Sequence, residues 1–399
     1  MSKGIKQIHA LPERAVPTNS MRHTRSLTYP QARLYLGILS VGSMVVAASV
    51  GLHTGAGDWF SGLSTGSFAE DAGALALFLG CYVVFSLPFD FTGGFLLPGA
   101  RNHASGSLLA FTLLLLRSAL TQATLLLGCS LLLLAALRWG GWTAAITTAA
   151  LVNCILANAQ TTLARMIGNV RSDPDGVTLL RGRVISSVAS DDGAFGGGIA
   201  GLPGFERIVV PKRWSRDWSA ARFHMAVQRR VGAIELGMHR RGLFVGVGWN
   251  LIGLIMTAAW IGPPTGAVGE IVTVSLIMTL WSFVGILLLP TASRNAVKEL
   301  DRYLLTRGYR PDKIAELAEA STRLQDGESA RHPWIETVFH PIPSLKRRTA
   351  GLRQSPPSFA AWNASRLMLF HSWASIGLLS RAVHGNVGRP DLWVLAPAD

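Results

Sequence analysis

The sequence predicts a polytopic α-helical membrane protein that carries a cytoplasmic α+β domain. Three observations point there. The 399-residue chain is 49% hydrophobic and 15% charged, with mean hydropathy +0.34, too apolar for an ordinary soluble enzyme. Six apolar segments reach the roughly 20 helical residues that cross a hydrocarbon core about 30 Å thick. The basic residues alternate along the chain as the positive-inside rule requires.

The apolar segments lie near 33–52, 73–94, 107–137, 142–164, 243–262 and 269–290. Residues 1–33 hold six Lys and Arg, 165–241 hold thirteen and 291–399 hold fifteen, whereas 53–72 and 263–268 hold none. Six crossings with this alternation place both termini and both large hydrophilic regions on the cytoplasmic side of a cell membrane. The net charge of +14 is therefore mostly topology and contact with anionic lipid headgroups. No clustered readout module for nucleic acid is present. Asp90 and Arg117 fall inside spans; both stand within a turn or two of a boundary, so snorkelling is the expectation for each. Cys81, Cys129 and Cys154 sit in apolar runs with no CxxC pair, where a thiol acts as a small hydrophobe.

The expected organisation is a cytoplasmic tail over 1–32, four transmembrane helices over 33–165, the first part of a domain over 166–242, a transmembrane hairpin over 243–290, the second part over 291–356, and an amphipathic or interfacial helix with a tail over 357–399. No apolar region with a small-residue cleavage site precedes the first span. Strand-like runs occur at 177–190 and 205–214, separated by the glycine-rich "GAFGGGIAGLPG", which reads as a turn or as backbone open to a bound chain. A helix capped by Asp217 or Ser219 follows, with Phe223, Ala226, Val227, Ile234 and Met238 at helical spacing.

Four short motifs then appear in order: "RIVVPKRW", "AVQRRVGAI", and after the hairpin "SRNAVKELDRY" and "FHPIPSLKRRTAGL". Over roughly 175–353 this order resembles the HtpX-like and CAAX-prenyl-protease-like membrane zinc metallopeptidases, in which an edge strand precedes a His-Glu-x-x-His helix. A hairpin, a helix with a third Glu ligand and an Asp, and a His-Pro segment follow. The resemblance implies a metallopeptidase-like fold for the α+β domain. Gly232, Asp301 and His340 match retained family positions. The first zinc-ligand His falls on Arg229, the catalytic Glu on Arg230, the second ligand on Ala233 and the third on Val297.

That replacement removes the chemistry. Zinc requires lone pairs from imidazole, thiolate or carboxylate. Arginine offers donors only, alanine and valine offer nothing, and a guanidinium cannot serve as general base. The expectation is a non-catalytic pseudoenzyme with no metal and no cofactor, in contact with the lipid bilayer and holding a peptide or membrane-protein partner. Arg229 and Arg230 form a candidate anion-binding pair. The competing expectation is an active membrane zinc metalloendopeptidase with relocated ligands drawn from Glu235, His239, His224 and His340. Glu235 and His239 are read as an i,i+4 pair on one helix. Asp301 is expected in a salt bridge with Arg229 or Arg294.

Overall fold

The computed structural model describes residues 27–101, 106–180, 182–325, 328, 330–353, 359–383 and 385–395, so most of the expected N-terminal tail lies outside the described residues. The helices are α1 (Tyr29–His53), α2 (Ala56–Ser61), α3 (Phe68–Phe91), α4 (Leu97–Ala100), α5 (Leu108–Ile167), α6 (Lys212–Asp217), α7 (Ala220–Glu235), α8 (Met238–Ile261), α9 (Val268–Leu288), α10 (Pro290–Thr306), α11 (Pro311–Gln325), α12 (Pro333–Phe339), α13 (Leu345–Gly351) and α14 (Ala364–His371). Between α5 and α6 lie the strands β1 (Arg171–Leu180), β2 (Arg183–Ala189), β3 (Gly198–Ala200) and β4 (Arg207–Pro211).

Among the described residues, five helical stretches are long and apolar enough to cross a membrane: α1, α3 with α4, α5, α8, and α9 with α10. Polar caps start them where the apolar runs begin. Thr28 and Gln31 form a capping box at α1, and the Ser67 and Ser107 side chains accept from the backbones of Glu70 and Ala110. The 60-residue α5 breaks at Gly140 (φ −145°, ψ 22°) and Gly141 (φ 63°, ψ −156°). It then doubles back. Arg117 Nη2 donates to Gly168 O at 2.8 Å across 51 residues, which a straight helix would hold roughly 75 Å apart. The two arms are the third and fourth apolar segments of the sequence.

The sheet has the order β1-β2-β4-β3. β2 runs parallel to β4 with Ile185 opposite Ile208, and β3 pairs antiparallel with β4 through Ile199 and Ile208. The run at 177–190 is a hairpin rather than one strand, turning at Gly182 (φ 73°). The glycine-rich stretch supplies the edge strand β3, which its composition hid. Ile185, Ile199, Ile208 and Val210 pack against Val227, Val231 and Ala233 of α7 and Leu300 of α10, and this layer fixes the candidate site.

The C-terminal segment differs most from expectation. All eight residues of α14 are buried against the rest of the protein. It enters beside the start of α8, where Trp362 N–H donates to Met238 O at 3.0 Å. It reaches Ser275 and Thr279 within α9, then returns to the end of α5, where Asn169 N–H donates to Asp391 Oδ1 at 3.0 Å. Both ends meet the sheet-bearing face, so the segment is re-entrant. Backbone this irregular is tolerated among spanning helices only when protein encloses it. Asp90 does not snorkel. It is 2% exposed and pairs with Arg381, which is 1% exposed, and it accepts Gly388 N–H at 2.9 Å.

Candidate functional site

The site is assembled from α7, α10, α13 and the strands beneath them. Ser219 caps α7 by accepting from Arg222 N–H, and residues Met225 to Ile234 are buried without a break. A helix buried all round is central rather than amphipathic at a surface. Gly232 lets α10 approach, because a Cβ there would lie 2.6 Å from the Tyr303 ring. Ala233 and Val297, at 0% and 1% exposure, are core residues.

Arg229 pairs closely with Asp301 Oδ1. Arg348 of α13 grips the same carboxylate twice, Nε to Oδ2 at 3.0 Å and Nη2 to Oδ1 at 2.9 Å. All three side chains are at most 2% exposed. Such a cluster persists because each charge has a partner, and losing one partner is costly. Arg294 bonds elsewhere, to the carbonyl oxygens of Glu336 (3.1 Å), Thr337 (2.8 Å) and His340 (2.9 Å) at the end of α12. Glu336, fully buried, accepts Ser344 N–H at 3.0 Å and Ser344 Oγ–H at 2.8 Å. The second hydrophilic part is thus pinned to α7 through charge. His340 is buried within this network and supplies its carbonyl to it.

Arg230 turns the other way. It donates to Val209 O at 2.6 Å and to Gly196 O, and its guanidinium lies 4.9 Å from the Trp214 ring centre. The adjacent arginines therefore do not converge on one anion: one is neutralised by a carboxylate, the other holds the β3–β4 backbone. Consecutive helical residues project about 100° apart, which alone separates them.

The candidate relocated ligands are scattered. α7 ends at Glu235 and α8 starts at Met238, with Gly237 (φ 67°) between them, so Glu235 and His239 do not share a helix. Glu235 accepts from Tyr303 Oη at 2.7 Å and Arg307 Nη2 at 2.6 Å. His239 Nε2 meets Gly201 O at 3.0 Å, and His224 Nδ1 meets Tyr309 Oη at 2.8 Å. No group of three or more His, Cys, Asp or Glu side chains placed to hold a metal occurs among the described residues. The donor set at the degenerate positions does not fit zinc.

The edge strand β3 is buried rather than open. Trp362 and Leu395 stand over Gly198, 3.6 and 3.9 Å from where its Cβ would be. Beside it, Asp192 binds Arg389. Burial by itself would raise the Asp192 pKa, and the Arg389 charge, hydrogen bonds from that guanidinium and from Ala194 N–H, and Arg33 hold it below the usual carboxylate range.

The chain matches 81% of its length to 86% of the crystal structure of S. mikatae Ste24p, with TM-score 0.62 and 12% identity. Its fold is similar to that of Ste24p. No family model and no curated protein matches the chain.

Sequence reasoning missed Arg348, Glu336 and the Asp90–Arg381 pair. The signal for the last was present: opposite charges stranded in two apolar runs, "LPFDF" and "LLSRAV", need partners.

Proposed function

We propose that this chain is an integral membrane pseudopeptidase, a metallopeptidase-like frame that holds a peptide or membrane-protein partner without cleaving it. It sits in the cell membrane with both termini and the sheet-bearing domain in the cytoplasm, a reading supported by the Lys and Arg alternation. The order of motifs and the Ste24p-like fold support the frame.

One observation carries the loss of chemistry. The residue aligned with the first zinc ligand, Arg229, is buried in an ion pair with Asp301 and Arg348. A divalent cation there would face two guanidinium groups, with a single carboxylate already shared between them. The general-base position, Arg230, is a fixed hydrogen-bond donor to backbone oxygens. No observation favours the competing active enzyme, whose remaining donors are engaged apart from one another.

The test is metal analysis of detergent-purified full-length protein beside a peptidase assay with and without chelator. The expected result is zinc well below one equivalent and no chelator-sensitive hydrolysis. Stoichiometric zinc, or hydrolysis abolished by changing Glu235, His239 or His340, would defeat the proposal.

A further inference from the structure

The spanning helices aim polar side chains inward at one another's level. Tyr82, Gln122, Asn250, Ser275, Thr279 and Ser282 are all buried within segments apolar enough to cross a membrane. Buried polar groups in such helices need hydrogen-bond partners, from their own helix, a neighbouring helix or something enclosed between them. Here that something is the chain's own C-terminal segment. Every described residue from Ala364 to Val383 is buried, as are most of those to Leu395.

How the segment is held is informative. Arg33 donates to Val387 O at 3.1 Å, Gln160 to Val394 O at 3.1 Å, Asn250 to Met368 O at 2.9 Å and Ser275 to Ile376 O at 2.7 Å. Thr279 Oγ1 accepts Leu378 N–H at 3.2 Å, and Asp90 accepts Gly388 N–H at 2.9 Å. These six bonds, from α1, α3, α5, α8 and α9, all go to backbone groups of the segment. Glycines complete the track. A Cβ at Gly94 would lie 2.1 Å from Gly388 O, and one at Gly242 would lie 2.0 Å from Trp362 O, so only hydrogen admits the segment so closely. These six bonds do not depend on the segment's side chains; Ser380, Arg381, Arg389 and Asp391 add side-chain bonds to Gln122, Asp90, Asp192 and Ser190.

The fit is also incomplete. Arg381 leaves Nε and Nη1 without a hydrogen bond among the described residues, although its guanidinium lies over Trp393 at 4.5 Å. Both ring nitrogens of His371 and the hydroxyls of Ser375 and Ser282 likewise make no hydrogen bond to the described residues.

We propose that residues 364–395 are a tethered occupant of the interior enclosed by the spanning helices, held through its backbone and through a few charged and hydroxyl side chains, so that the chain closes its own peptide site. This rests on the reading of the protein as a peptide-holding frame. It adds that an outside chain reaches the interior and the β3 edge only when the segment leaves.

The experiment uses full-length protein with a protease recognition site placed between residues 355 and 356, cut after purification. A fluorescent synthetic peptide spanning residues 359–395 is then offered to cut and uncut protein. The expected result is saturable exchange into the cut protein, none into the uncut protein, and weaker competition by the same peptide carrying Arg381→Ala. Failure of the cut protein to exchange, or its aggregation on cutting, would show the segment to be a fixed part of the core and overturn the proposal. In uncut protein, Asp90→Asn and, separately, Gly94→Ala are expected to speed hydrogen exchange over 386–395 about tenfold while leaving α9 unchanged. Equal acceleration in α9 would count against the proposal. Hydrolysis of the labelled peptide with exchange intact would defeat the proposed function alone, whereas absent exchange without hydrolysis would defeat this inference alone.

Discussion

Two buried carboxylates, Asp301 and Asp90, are similarly excluded from solvent at 1% and 2% exposure, yet they are built for different tasks. Asp301 is shared by Arg229 and Arg348 in a cluster that joins α7, α10 and α13. Asp90 holds one arginine and one backbone N–H, both from the re-entrant segment. The first joins three helices of the sheet-bearing domain. The second joins a framework to something threaded through it. On the proposal of a releasable segment, the same ion-pair chemistry is a strut in one region and a latch in the other, and what separates them is whether a freed arginine can reach water.

The largest expected effect tests the strut. Asp301→Ala removes the carboxylate shared by two buried guanidinium groups and is expected to cost about 3–5 kcal/mol. Thermal unfolding of the detergent-solubilised protein measures it. A loss below 1 kcal/mol, within the range of surface pairs, would remove the distinction. Gly232→Ala comes next, since its methyl must displace the Tyr303 ring from 2.6 Å. A loss of about 1–3 kcal/mol is expected by the same measurement, and an unchanged melting temperature would mean α10 shifts freely.

Asp90→Asn should lower global stability less than Asp301→Ala, because Arg381 is carried out of the interior with the segment instead of remaining buried and unpaired. Equal losses in the two variants would make the latch a second strut. The smallest effect is pH-dependent. The Asp192 pKa is lower in the folded chain than the unfolded value of about 3.9. Its pairing with Arg389 therefore contributes stability above that value, and the contribution disappears as pH falls through the folded pKa. The melting-temperature gap between wild type and Arg389→Ala is expected to be open at about pH 6 and to narrow as the pH falls below the unfolded value of about 3.9. A gap independent of pH would assign the effect of Arg389 to packing.

Apolar run length carried the spans because an apolar helix of bilayer length is a local property. The expected segments agree with the helices to within a few residues, and even the doubling back of α5 is marked by Gly140 and Gly141. The strand β3 was not legible, because Gly198–Ala200 has no strand propensity and exists through its pairing with β4. The break after Glu235 was also hidden, since a single glycine inside a helical pattern does not announce a positive φ.

At the site, the sequence by itself determined which atoms are available. Residue type alone establishes that Arg229, Arg230, Ala233 and Val297 supply no lone pair to a cation. Tertiary structure decided where those atoms go. Arg229 finds Asp301 across 72 residues, Arg230 turns to the sheet, and Arg381 finds Asp90 across 291. Chemical capacity resides in a side chain and is readable in isolation. Partnership between buried charges depends on which helices enclose which segment, and no local pattern encodes that.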